Sequence, residues 1–60
     1  MKKQLVTVKD VWGLNQDTIN SIEPVMTFNR EFIQDETTFC ELQNSKGEVI
    51  CIFAERIAFI

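Results

Sequence analysis

Histidine and tyrosine are absent from this 60-residue sequence, and glycine (two), cysteine (two) and proline (one) are scarce. Each shortage removes a kind of chemistry. Without histidine the commonest general base and metal ligand is missing, so neither a Ser–His nor a Cys–His nucleophile pair can form within one chain. Two cysteines without histidine complete no zinc site unless carboxylates or a second subunit contribute. Gly13 and Gly47 stand alone, which leaves no glycine-rich phosphate loop. The longest uninterrupted apolar run, Val49 to Ala54, falls far short of the roughly 20 residues that span a bilayer. The start, MKKQLVTVKD, lacks the long apolar segment of a secretory leader. A cytoplasmic protein with no membrane segment is therefore expected, with Lys2-Lys3 as a solvated end. In a reducing compartment Cys40 and Cys51 are expected to be small apolar side chains and not a disulfide.

Charge is modest. Nine acidic and six basic residues give a net −3, and no basic run extends beyond Lys2-Lys3. Nucleic-acid binding needs a concentrated positive field, so this balance argues against it. Glu31, Asp35 and Glu36 cluster around Phe32-Ile33. They read as ordinary solvated carboxylates, because a calcium loop needs more oxygen ligands at set spacing. A water-excluding pocket is also hard to enclose with so short a chain. A non-enzyme without cofactor or metal is the expectation.

What the chain does have is strand-forming bulk. Seven Ile, five Val, five Thr and five Phe stand against two Ala and three Leu. One domain, residues 1–60, is expected, mainly β or small α+β. A chain this short buries only about 60% of its unfolded surface, so it is marginally stable alone.

The clearest local signal is Thr38 to Phe53, two apolar runs around Asn44-Ser45-Lys46-Gly47. Asn suits the first turn position and Gly47 the left-handed one, as in a three-residue hairpin loop with a bulge at the glycine. That register sets Leu42 against Ile50, Cys40 against Ile52 and Phe39 against Phe53. Cys40, Leu42, Ile50 and Ile52 then form one apolar face. A tighter loop would instead oppose Cys40 and Cys51. The first register is preferred because burial of one face is what fixes register. Val49 to Phe53 is apolar on both faces and reads as a central, covered strand.

Elsewhere, Gln4 to Trp12 reads as a first strand with Val6, Val8 and Trp12 on one face. Gly13 to Asp17 reads as a loop, and Asp17 or Thr18 as the cap of one short helical turn near 17–23, stopped by Pro24. Val25 to Phe28 is expected as a strand, Asn29-Arg30-Glu31 as a turn, and Asp35-Glu36 as a polar break. Ala54-Glu55-Arg56 reads as a bend before a last strand. The sum is four or five short, mostly antiparallel strands in a strongly bent sheet or a small SH3/Sm-like open barrel.

Three functions fit these bounds. The first is a small inhibitor or regulator, of phage or bacterial accessory type, that occludes a partner protein's surface. The second is an oligomeric sponge for a small anionic, nucleotide-type ligand, with Trp12, Arg30, Arg56 and Lys9 as contacts. The third is an Sm-like RNA binder, which the charge disfavours. The two-sided apolar hairpin also predicts a homo-oligomer, most simply a two-fold dimer, with Phe39, Val49, Cys51, Phe53, Phe59 and Ile60 at the interface.

Overall fold

The computed structural model describes residues 4–60, so the Lys2-Lys3 reading lies outside the described residues. Five strands form one antiparallel sheet: β1 (Gln4–Val8), β2 (Met26–Gln34), β3 (Thr37–Gln43), β4 (Val49–Phe53) and β5 (Ile57–Phe59). Their order is β4-β3-β2-β1-β5. One helix, α1 (Gln16–Ser21), joins β1 to β2, and a 3-10 turn (Ala54–Arg56) joins β4 to β5. The mainly β fold and the single bent sheet expected from the sequence are both present. The sheet is open.

Its bend follows from chain length. β4 and β5 are the two edges, four strand spacings apart, or about 19 Å in a flat sheet. Phe53 and Ile57 are four residues apart, a reach of at most about 14 Å when extended and less through a 3-10 turn. A flat sheet cannot be closed by that connection, so the sheet must curl.

The C-terminal hairpin has the preferred register. Phe39 pairs with Phe53, Cys40 with Ile52 and Leu42 with Ile50. Gly47 takes φ +87°, and its amide bonds the Asn44 carbonyl at 3.1 Å. Asn44, 8% exposed, ties the turn together. Its Oδ1 accepts from the amides of Lys46 (2.9 Å) and Glu48 (3.0 Å), and its Nδ2 donates to the Ser21 carbonyl (2.9 Å) and Glu48 Oε1 (2.8 Å). The Ser21 bond anchors α1, whose six residues are too few to be helical unaided. Nearby, Glu23 accepts from the Ser45 amide (2.9 Å) and hydroxyl (2.8 Å). Those bonds hold its carboxyl below the usual range, the amide bond most of all.

The covered face carries Val6, Met26, Cys40, Leu42, Ile50, Ile52 and Ile57, with Val8, Leu14, Ile22, Phe28 and Ala54 packed against them. Burial, and secondarily Glu31 opposite in the ladder, pushes the Cys40 thiol up. Cys40 serves as a small apolar side chain of the core. Both cysteines are free.

Four expectations are corrected and one, the break at Asp35-Glu36, is sharpened. Val25–Phe28 and the Asn29-Arg30-Glu31 turn are one continuous nine-residue strand, Met26–Gln34. What looked like a turn is a bulge at Asn29, where the register with β3 slips between Phe28 and Arg30. The polar break at Asp35-Glu36 is a two-residue hairpin loop with φ of +52° and +63°, which glycine or asparagine would ordinarily mark. β1 ends at Val8, so Trp12 does not share the face of Val6 and Val8. Asn15, not Asp17 or Thr18, caps α1, its Oδ1 accepting from the Thr18 amide at 2.9 Å. Finally, β4 is an edge strand whose residues alternate between exposed and buried, not a central covered one.

Candidate partner-binding surface

The bulge at Asn29 builds the second face of the sheet. Without it Phe28, Arg30 and Phe32 would all point to one side. The extra residue instead leaves Phe28 opposite buried Leu42 and turns Arg30 and Phe32 to the other side, opposite Glu41 and Phe39. Phe32 then stacks on Phe39 (5.6 Å between centroids, 17° between planes), and Phe39 meets Phe53 (5.1 Å, 40°). A ladder of three rings thus crosses β2, β3 and β4, with the 3-10 turn against its Phe53 end through Arg56.

Each end of the ladder carries an arginine. The Arg30 guanidinium lies 4.7 Å over the Phe32 ring, and its Nε donates to Glu41 Oε1 at 3.0 Å. The Arg56 guanidinium sits between Phe53 (5.8 Å) and Trp12 (5.5 Å), and its Nη1 donates to Asp10 Oδ1 at 2.6 Å. The Arg56 side chain is only 10% exposed. It clamps the loop after β1 onto the β4–β5 connection, aided by the Lys9 amide on the Arg56 carbonyl (2.6 Å). Trp12 is 78% exposed and rests on this clamp. Gly13 follows at φ +80°, where a side chain would be strained. Asp10, Trp12, Phe53, Glu55 and Arg56 line a cleft of about 350 Å³. An adjoining groove of about 480 Å³ runs past Glu36, Thr37, Thr38, Phe53, Ala54 and Glu55.

The residues singled out from sequence fall in three places. Trp12 and Arg56 meet in the cleft, Lys9 is exposed beside it, and Arg30 lies at the far end of the ladder. Phe39, Val49, Cys51 and Phe53 share the uncovered face by register. Phe59 is opposite Val6 on the covered side, edge-on to Phe28 at 5.2 Å, and Ile60 bonds the Leu5 carbonyl through its amide. Sequence reasoning missed Phe32, Glu41 and Asp10. The Phe32 signal was hidden by the bulge; the two carboxylates had no local signature.

Chemically, both guanidiniums are already matched to carboxylates. The surface is therefore aromatic and near-neutral, not cationic. Among the described residues no group of three or more Cys, Asp or Glu is placed to hold a metal ion, and no helix is long and apolar enough to cross a membrane. No family model matches the chain, and neither a curated protein nor a solved structure shows significant similarity to it.

Proposed function

We propose that this is a small, non-catalytic cytoplasmic binding protein, acting as an inhibitor or regulator by laying its uncovered sheet face over a partner protein's surface, and that it self-associates. One observation carries the reading: the second face of the sheet carries a half-exposed aromatic ladder, flanked by two neutralised arginines and an exposed tryptophan. Aromatic residues and arginine are the side chains that most often carry binding energy at protein interfaces. An aromatic patch rimmed by polar residues is a common mark of an interaction site. The molecule measures 30 × 25 × 18 Å, so a face-on contact is limited to about the 800 Å² per partner of an ordinary interface.

A nucleotide-type ligand is less well supported. Arg30 and Arg56 spend charge on Glu41 and Asp10, and Glu55 adds a further negative charge to the Trp12 cleft. The same neutralisation weakens the RNA-binding reading.

The test is a paired capture. Tagged wild type, Phe39→Ser and Trp12→Ala are used as baits, and any protein retained by wild type alone is purified and assayed with and without this chain. The expected result is a partner whose activity falls on binding and recovers with the Phe39 variant. Retention that ignores both substitutions sinks the reading.

A further inference from the structure

We infer that the outer edge of β4 pairs antiparallel with β4 of a second copy, about a two-fold axis through Cys51. This gives a geometry to the self-association proposed above, but it rests on the strand edge and not on the sheet face. The Asn44 amide bonds the Glu48 carbonyl at 3.0 Å, so these two residues form a hydrogen-bonded pair. In an antiparallel ladder that status recurs every second residue, at Leu42–Ile50 and Cys40–Ile52. Val49, Cys51 and Phe53 therefore turn their backbone groups away from β3. The Phe53 carbonyl is used by the 3-10 turn that Phe53 caps. The remaining outward groups face an edge where, among the described residues, β4 has no second strand neighbour.

Natural edges are ordinarily blunted by a charge, a proline or a bulge. β4 reads VICIF and has none of these, and its register with β3 runs without a shift. β5, the other edge, is only three residues long. A second copy fits because β4 is self-complementary about Cys51. Ile50 meets Ile52 and continues the covered face; Val49 meets Phe53 and continues the open one. The two Cys51 residues exchange both backbone bonds across the axis, and each Phe53 amide donates to the other copy's Val49 carbonyl. The seam is uncharged, so two chains of net charge −3 meet where neither carries that charge. The product is a continuous ten-stranded sheet with both aromatic ladders on one side.

Sedimentation equilibrium on four proteins tests this. Wild type is expected at twice the 7.0 kDa chain mass. Cys51→Pro removes an outward N–H and spares every β3–β4 bond, which is where an edge strand tolerates proline. Cys51→Lys places like charges face to face at the axis. Both are expected to be monomers with unchanged far-UV circular dichroism, the dissociation constant rising at least tenfold. Should the proline variant fail to fold, the lysine variant carries the test. Phe39→Ser is expected to stay dimeric, which separates edge pairing from occlusion of a partner by the face. A monomeric wild type, a mass above two copies, or a dimer that survives Cys51→Lys but is lost in Phe39→Ser overturns the inference. So does a monomeric wild type that pairs only with an added foreign strand peptide.

Discussion

The two faces of the sheet are built from similar side chains and meet opposite fates. In β4, Ile50 and Ile52 are buried, while Val49, Cys51 and Phe53 between them are exposed. Hydropathy along this strand barely distinguishes the two sets. The neighbouring strand does: β3 places Cys40 and Leu42 on one side and Glu41 and Gln43 on the other. One polar pair on one strand decides which face is layered by α1 and the β1–α1 loop. The lesson is that in a very short chain, core identity is set by cross-strand partners more than by any strand alone.

That contrast can be broken most forcefully at Leu42, which is fully buried. Leu42→Ala is expected to cost about 3 kcal/mol, at least a third of the ~3–9 kcal/mol that a chain of this length holds. A urea titration will show it as a large drop in midpoint. Asn44→Ala comes next, at about 2 kcal/mol, because it strips partners from turn amides and from the Ser21 carbonyl together. Thermal melts followed by near-UV circular dichroism check it. Phe39→Ala, on the open face, is expected to cost only about 1 kcal/mol in the isolated protein. A loss there equal to that of Leu42→Ala would mean that the second face is also core. Glu36→Gly should raise stability by about 0.5–1 kcal/mol, since glycine takes the left-handed conformation freely. The smallest effect concerns Glu23. Its pKa is lowered in the folded state, so its contribution is present above the unfolded value of 4.5 and is lost as pH falls through the folded value. Glu23→Gln should remove that contribution, so stability falls slightly at neutral pH and the difference from wild type closes as pH drops below about 4.5.

Much of this was legible in the sequence. Gly47 announced its turn, and burial of Cys40, Leu42, Ile50 and Ile52 fixed the hairpin register. The break at Asp35-Glu36 was legible but its tight hairpin form was not, because two acidic residues in the left-handed region carry no composition signal for it. The bulge at Asn29 hid the strand that contains it, since alternation breaks where the extra residue sits. The clamp of Arg56 on Asp10 spans 46 positions, and no local pattern reports such a pair. Trp12 was singled out correctly as exposed, but its support by Arg56 is a product of the curl.

Amide hydrogen exchange in β4 as a function of protein concentration tests most directly whether this side of the sheet is built to receive another chain. The Ile50 and Ile52 amides, bonded to β3, should be protected at every concentration. The outward Cys51 amide should exchange fast when dilute and become protected as concentration rises. Fast exchange at Cys51 across the whole range, with the protein folded, would contradict the account.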